Sequence, residues 1–510
     1  MANIGINLVE VDGRATPSIQ GASTSVAGFL MRTERGVPGK VRNVTNMSEF
    51  IEYFGGFRNG SAPYYGPYAI KGFFENGGTN AYVARIVETD ATKISQGPNA
   101  PQSPQAATAA TKTITQQTKD IVFTAAYRGD DDPGDWGNNL KIQLDPSDAS
   151  GMFDLTVLYQ GKVVEVWDHL PCGAASEIKV NDPFSGSKFI RLTYPAALAS
   201  VAAQAAVALA GGHDDNMPQS QVEIRAQNML DAGGTGVFDT FDVQLVACPE
   251  ATDANTLTAG KDYAAARGDC IFLAAAPDTA DPTAAKTFGN GKKAANVYAA
   301  LYYPFVRIND PIGTTLWVNP IGHVMGVYAR TERERGIWKS PAGVNAQVRG
   351  VLDIRTHMTD VKHTQLVKEG GVNAIRYFPG QGIVIDSGRT LSSNPLWAHV
   401  NVRLLFNFVK SSLKNGLRWV VHEPNDEQLW NKVKHNSVVP FLSDLWRRGA
   451  FGPGDRADVF SVKIDKENNP PANIQQGILN VEVYFYPSRP AETFIITVGQ
   501  QEGGPSASES

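Results

Sequence analysis

FDVQLVACPE (241–250), RGDCIFLAAAPD (267–278) and AANVYAALYYPFVRI (294–308) each hold a short apolar run bounded by polar or turn-forming residues. Runs this short and this apolar suit strands buried on both faces. Helix-length stretches separate them, and IGHVMGVYARTERERG (321–336) continues the alternation. That rhythm predicts a mostly parallel α/β sheet with helices on both faces, over residues 238–360.

Upstream, residues 21–88 read as a compact α/β piece. STSVAGFLMRT (23–33) and NAYVARIV (80–87) are strand candidates. MSEFIEYFG (47–55) is a short helix with Ser48 as its cap, and YYGPYAIKGFFENGG (64–78) is a helix stopped by Gly77-Gly78. Residues 1–20 read as an extended arm. Ile4, Ile6 and Leu8 alternate, and Val9 and Val11 then take the opposite parity, which predicts a bulge or twist near Leu8.

Residues 89–237 read as an inserted, surface-exposed, β-rich domain. It opens on an aromatic-free stretch, 89–120, expected to be a linker or loose loop. DWGNNLKIQL (135–144) and FDLTVLYQGKVVEVWDHL (153–170) follow, with Gln160-Gly161 as a hairpin turn. An Ala-rich helix is expected near 195–210.

Downstream, residues 361–489 form a C-terminal unit. Leu396, Val400, Leu404 and Phe408 make one helical row, and Leu405, Val409, Leu413 and Leu417 a second. In EPNDEQLW (423–430), Asn425 and Gln428 have capping-box spacing. Leu429, Val433, Phe441, Leu442, Leu445 and Trp446 continue the helical face to Gly449, and Pro440 inside it predicts two helices or a kink. VFSVKI (459–464) and ILNVEVYFY (478–486) alternate as strands. RPAETFIITV (489–498) is a final strand in a C-terminal arm, 490–510, whose end QEGGPSASES is disordered by composition.

Composition narrows the function. The chain has 510 residues, 42% hydrophobic and 19% charged, which excludes a mostly disordered chain and a coiled coil. Its net charge is −5, with no run of Lys or Arg longer than two, so no nucleic-acid partner is expected. Three cysteines (Cys172, Cys248, Cys270) suit synthesis in a reducing compartment. No stretch approaches the roughly 18 apolar residues of a membrane span, and the N-terminus has no signal-peptide pattern. Synthesis in a host cytoplasm, without membrane insertion, is the expectation.

Enzymatic motifs fail one by one. No G-x-S-x-G nucleophile elbow and no G-x-G-x-x-G after a strand occur. GNGKK (289–293) lacks the first glycine and the hydroxyl residue of a phosphate loop. DDDPGDWGN (130–138) resembles a calcium loop, but Gly134 stands where a ligand belongs. His213 with Asp214 and Asp215 has no serine of matching context. ERER (332–335) reads as a solvated face or an ion-pair seam. No His-x-x-x-His or Cys-x-x-Cys pair offers a zinc site. No catalytic residue, metal or cofactor is expected; an α/β hydrolase-like enzyme with an unrecognised site is the alternative.

The motifs cohere differently when taken together. TSVAGFLMRTERGVPGK (24–40), MSEFIEYFG (47–55) and FFENGGTNAYVARIV (73–87) resemble the N-terminal part of contractile tail sheath proteins of phages, R-type pyocins and extracellular injection systems. PGDWGNNLKIQL (133–144) is similar to the family's P-G-x-W-G-N element. LRWVVHEPNDEQLW (417–430) resembles its R-W-V-x-F-E-P-N-D-x-x-L-W, with His422 in place of Phe. FLSDLWRRGAF (441–451), NNPPANIQQGILNVEV (468–483) and YPSRPAETFIITV (486–498) follow in order. One departure is the arm: family arms often begin P-G-V-Y, where this chain has Ile4-Gly5-Ile6-Asn7.

The resemblance implies a structural subunit of a contractile sheath, with a subtilisin-like core that lacks a catalytic triad. It implies partners: copies of the same chain, an inner tail tube protein, and baseplate and tail terminator or cap proteins, assembled into a virion tail or injection particle. It also implies that arms from neighbouring subunits complete a sheet in the C-terminal domain. The N-arm residues would be Ile4, Ile6, Leu8, Val9 and Val11, and the C-arm residues Phe494, Ile495, Ile496 and Val498. Val481, Val483 and Phe485 would line the acceptor sheet, and Lys432, Lys434, Arg447 and Arg448 would face the tube.

Overall fold

The computed structural model describes residues 19–58, 64–94, 100–195 and 198–492. The N-arm residues Ile4, Ile6, Leu8, Val9 and Val11 and the C-arm residues Phe494, Ile495, Ile496 and Val498 lie outside the described residues.

The chain first lays down β1 (Ala27–Met31), β2 (Val41–Val44), α1 (Met47–Phe54), α2 (Tyr65–Glu75) and β3 (Ala81–Arg85). It then leaves for α3 (Ala91–Ile94), β4 (Thr111–Gln116), β5 (Lys119–Tyr127), β6 (Asp130–Asp131), β7 (Leu140–Pro146), β8 (Met152–Tyr159), β9 (Lys162–Pro171), α4 (Ala174–Val180), β10 (Ile190–Thr193) and β11 (Gln204–Ala208). It returns through α5 (Gln219–Met229), β12 (Leu245–Ala247), α6 (Ala254–Arg267), β13 (Ile271–Ala275), α7 (Pro282–Asn290), β14 (Ala299–Tyr303), β15 (Val306–Asn309) and β16 (Thr315–Val318). Next come α8 (Ile321–Arg335), β17 (Val351–Ile354), α9 (Asp360–Lys368), β18 (Val372–Phe378) and β19 (Gly382–Ile385). The C-terminal unit holds α10 (Val400–Gly416), α11 (Glu427–Asn431), α12 (Val439–Arg447), α13 (Arg456–Val459), β20 (Phe460–Lys463), α14 (Pro471–Gln475) and β21 (Glu482–Phe485).

The result is a mixed α/β, multi-domain architecture with several sheets. Its centre is an eight-stranded sheet in the order β19-β18-β14-β13-β12-β1-β3-β2. Its inner ladders are parallel, and only the outermost pairs, β18·β19 and β2·β3, are antiparallel. Alternation divides each strand between two cores. Phe29, Met31, Leu273 and Tyr302 face one side with α2 and α8; Leu30, Phe272, Leu301 and Tyr303 face the other with α5 and α6. This is the doubly covered sheet that the apolar runs predict.

Residues 110–209 carry a separate core built around Phe123, Trp136, Leu155 and Leu192. Gln160 and Gly161 both take positive φ at the β8–β9 turn, as the hairpin reading requires. The aromatic-free stretch is not all linker: β4 begins at Thr111 and pairs along β5. The Ala-rich stretch is not a helix either. Its second half is β11, paired antiparallel with β7, while Leu198, Val201 and Leu209 are buried with this core. The helix preference of alanine is a weak bias, and a ladder to β7 overrides it.

Other local readings shift by a residue or two. Asn46, not Ser48, caps α1, accepting from the Glu49 N–H at 2.9 Å. Asp426, not Asn425, caps α11, accepting from the Leu429 N–H at 2.8 Å. Two helices, α11 and α12, do stand here, with Pro440 in the first turn of α12. A π-helical stretch, Lys432–Val438, joins them, and α12 ends before Gly449 at φ +83°.

Helices α2 and α8 cross so closely that only glycine fits. A Cβ on Gly322 would stand 2.1 Å from the Ala69 carbonyl oxygen, and one on Gly326 would stand 2.5 Å from that of Phe73. Both obstacles are backbone and cannot rotate away. Gly322→Ala is therefore expected to destabilise the fold by about 1–3 kcal/mol or more, read as a lower urea midpoint by circular dichroism.

Candidate functional site

The feature that stands apart is the sheet of β20 and β21. Among the described residues it has two strands, paired antiparallel as Phe460↔Phe485, Ser461↔Tyr484, Val462↔Val483 and Lys463↔Glu482. Phe460, Val462, Val483 and Phe485 turn inward onto the C-terminal core, together with half-buried Val481. Phe485 stacks on Phe406 at 4.2 Å and leans on Phe451 at 5.1 Å. Tyr484 is 61% exposed on the outer face. Among the described residues no third strand pairs with β20 or β21, although an isolated bridge joins Phe451 to Pro487 just beyond β21. A lone two-stranded ribbon is marginal in water, and unpaired edges are templates for another strand. The three residues read as an acceptor sheet, Val481, Val483 and Phe485, thus lie together on the ribbon's inner side.

The four cations do not lie together. Lys432 is exposed and Lys434 half-buried in the π-helical stretch. Arg447 and Arg448 are exposed at the end of α12, about 20 Å further along the axis at about 1.5 Å per residue. Arg448 pairs with Asp444 at 3.5 Å and sits over the Trp338 ring of the central unit at 5.7 Å. Arg448 is thus engaged within the chain, while all four cations keep part of their surface in solvent.

The motifs weighed for chemistry have structural occupations. The acidic run is a socket for arginines. Asp132 is wholly buried between Arg35 (3.2 Å) and Arg85 (3.3 Å) and accepts from the Gly36 N–H at 2.6 Å. Asp131 takes Arg191, Asp130 takes Lys40, and Asp135 takes Arg58. Asp214 and Asp215 belong to the same network, through Arg58 and Arg32, while His213 is exposed and bridges Thr108 by backbone bonds alone. Burial lowers the Arg85 guanidinium below its ordinary value, opposed by Asp132 and Asp215. In GNGKK, the Lys293 ammonium donates to the carbonyls of Lys368 and Glu369 at the end of α9. Sequence reasoning missed this pairing because the partners are 47 to 183 positions away, on other elements. Among the described residues no group of three His, Cys, Asp or Glu side chains could hold a metal ion, and no helix is long and apolar enough to cross a membrane.

Comparison with known proteins follows the same line. The family described as phage tail sheath protein central domain matches residues 226–391, and the phage tail sheath C-terminal domain matches residues 392–501. Together they cover more than half of the chain. The tail sheath protein of Vibrio phage KVP40 is 26% identical over 215 residues, which are 41% of this chain and 30% of that protein. The tail sheath protein of Enterobacteria phage T4 is 23% identical over 348 residues, 62% of this chain and 50% of that protein. The chain therefore spans between about a third and a half of the length of these curated relatives. The anti-feeding prophage helical sheath, solved in its contracted state, aligns over 98% of this chain and 100% of its own at TM-score 0.57 and 19% identity. None of these relatives points to a hydrolase.

The socket can be tested directly. Removing one partner of a buried ion pair strands the other charge, at about 3–5 kcal/mol. Asp132→Ala is expected to lower the melting temperature markedly, whereas excess calcium added to the wild-type protein is expected to leave it unchanged; a calcium-dependent rise in differential scanning calorimetry would restore the metal reading.

Proposed function

The chain belongs to the phage tail sheath family, and on that footing we propose that it is a structural subunit of a contractile tail sheath. Copies polymerise around an inner tube, wait in a metastable extended state, and contract to drive the tube through a target envelope. The observation that carries this reading is the β20–β21 ribbon, which has no third strand among the described residues and lies over an aromatic core. In the polymer, residues 3–11 of one neighbour and 491–499 of another add strands to it, by backbone pairing along its edges.

Magnitudes say which part of an arm matters. Ordering about six residues costs roughly 1–2 kcal/mol each. The ladder returns about 0.5–1.5 kcal/mol per hydrogen bond, so backbone pairing alone breaks even at best. Burial of Ile4, Ile6 and Leu8 contributes about 1.5–3 kcal/mol apiece and decides the balance. Phe494, Ile495, Ile496 and Val498 supply the same surplus in the C-arm.

The central unit corresponds to a subtilisin-like core without its triad; a shared fold confers no protease activity. Contraction exchanges one packing of the subunit bodies for another while the arms stay engaged. A gain of a few kcal/mol per subunit, within the range that separates alternative packings, sums along the polymer and needs no nucleotide. The tube protein docks against the C-terminal unit, with Lys432 and Lys434 facing it and Arg447 and Arg448 in supporting positions. Baseplate and terminator proteins hold the two ends of the polymer.

Negative-stain electron microscopy of the full-length protein is expected to reveal long hollow cylinders, either alone or on co-expression with the tube protein. Ile6→Asp/Leu8→Asp is expected to abolish them while the monomer keeps its wild-type circular dichroism; full-length cylinders from that variant would overturn the arm assignment. Lys432→Glu/Lys434→Glu is expected to weaken tube-templated assembly, and to do so less at high salt, as counted by particle lengths on the grid.

A further inference from the structure

Past β21 the chain takes a defined route away from the ribbon. The Tyr486 N–H donates to the Val459 carbonyl at 2.8 Å, and the Tyr486 carbonyl accepts from the Gly452 N–H at 2.9 Å. Pro487 bridges Phe451, and the Ser488 N–H donates to the Ala450 carbonyl at 3.2 Å. Asn401, in the first turn of α10, then ties the chain to the central unit. Its side-chain amide donates to the Ser488 carbonyl at 3.0 Å and to the Trp338 carbonyl at 2.9 Å. At Glu492 the chain meets Arg389, which stands between β19 and α10. Residues 486–492 therefore pass from the ribbon, by the start of α10, to the central unit.

Arg389 is a prepared partner. Asn373, wholly buried on β18, accepts from the Arg389 N–H at 2.6 Å and donates to the Arg389 carbonyl at 2.7 Å. The Thr390 N–H donates to the Ala398 carbonyl at 2.9 Å and the Val400 N–H to the Gly388 carbonyl at 3.0 Å, which lays the segment along the entry to α10. From this fixed base the guanidinium grips the Glu492 carboxylate twice, Nε to Oε1 at 3.0 Å and Nη2 to Oε2. His399 stands 3.4 Å from the same carboxylate. A two-point fork of this kind fixes direction as well as distance.

The fork is not what joins the two units; α10 does that. Buried Arg403 donates to the Asn296 side chain at 2.7 Å and lies over the Tyr298 ring at 3.9 Å, and Asn407 donates to the Cys270 carbonyl at 2.9 Å. The fork is left to hold the chain beyond the ribbon, and spacing shows what it opposes. A strand that turned straight back onto β21 would need a hairpin loop of about 2–5 residues. Residues 488–492 have that length, and they are the residues that Asn401 and Arg389 hold on the other route.

We propose that Arg389 and Glu492 are positioning residues that direct the segment after Glu492 away from the chain's own ribbon, which keeps the ribbon for a strand from a second copy. This rests on the reading of strand addition given above. With the fork broken, the segment turns back and closes the ribbon within one chain. Such closure is intramolecular, so it wins over pairing between copies at low concentration.

Hydrogen exchange with mass spectrometry on the full-length protein, held below its assembly concentration, tests this. In Arg389→Gln, peptides spanning 486–492 are expected to lose protection by about fivefold, the upper end for a partly exposed ion pair. Ribbon peptides covering 460–463 and 482–485 are expected to gain protection, and β13 peptides to stay unchanged. Glu492→Ala is expected to do the same, and the double variant to go no further, since the two side chains act as one pair. In pelleting assays, alone or with the tube protein, the critical concentration is expected to rise in both single variants and equally in the double. Unchanged exchange over 486–492, no gain in the ribbon, or additive losses in the double variant would each overturn the proposal. A wild-type protein that forms no polymer in either assay would count against the sheath reading instead, and the exchange of the unassembled protein would still decide on the fork.

Discussion

The ladder between β1 and β12 is the contact on which the rest depends. Ala27, Gly28 and Phe29 pair with Leu245, Val246 and Ala247, residues 218 positions away. Without it the central sheet falls into two incomplete halves. Closing so long a loop is less costly than it looks, since each doubling of length adds only about 0.6 kcal/mol. The cost is tolerable only if the excursion folds by itself and brings its ends back together. It does both. Its own apolar core holds residues 110–209. Thr108 and His213 then bridge its two ends through paired backbone hydrogen bonds, and Thr111 and Ala210 do the same. Arg32, Arg35 and Arg85 of the central unit meet Asp132, Asp214 and Asp215 just there. The charged seam fixes the inserted unit to the sheet at the point where chain entropy most needs fixing.

The sheet itself was legible because its signals are local. Runs such as Ile271–Ala275 and Ala299–Tyr303 are buried along their whole length, and an uninterrupted apolar run says so directly. Gln160-Gly161 and Gly449 were legible for the same reason: a positive φ leaves its mark on residue choice at the position that needs it. The Ala-rich stretch misled because nothing within 204–208 specifies β7 as its partner; the ladder is a tertiary fact. The caps slipped by a residue or two because Asn46 and Ser48, or Asn425 and Asp426, are equally able acceptors in isolation. In the fold Asn425 is occupied elsewhere, accepting from the Trp430 indole N–H at 2.8 Å and donating to the Ile478 carbonyl at 3.0 Å.

The acidic run shows the same limit from the side of function. Asp130, Asp131, Asp132 and Asp135 look alike in sequence and differ only in what faces them. Charge pattern alone cannot separate a cation site from an arginine socket, because both need clustered carboxylates. Desolvation separates them: Asp132 is fully buried with two guanidinium partners and a backbone N–H, a satisfied set that leaves no oxygen for a metal. Glu332 has the opposite environment. ERER suits a solvated face or an ion-pair seam, yet α8 carries Glu332 to a junction where it meets the Ser25 and Thr24 hydroxyls and, among the described residues, pairs with no lysine or arginine.

Edges complete the argument. A chain that polymerises through strand addition has to leave some edges available and protect the others, or it aggregates without register. The β19 edge of the central sheet is covered by the loop of residues 343–348, whose backbone bonds to Ile383 and Ile385. The β9 edge of the inserted unit carries Lys162, Glu165 and Asp168, is broken by register shifts and by His169 at φ +56°, and ends on Pro171. Each device makes backbone pairing by a stray strand unfavourable. Among the described residues the β20–β21 ribbon has no third strand and no bulge within its paired residues, and its strands are four residues each. Strands so short gain little from hydrogen bonds alone, so a visiting segment must also bring apolar side chains to the Phe451, Phe460 and Phe485 cluster. Under the proposed arm addition, the ribbon's shortness works as a filter that disfavours generic strands and favours segments whose alternating residues reach the aromatic core.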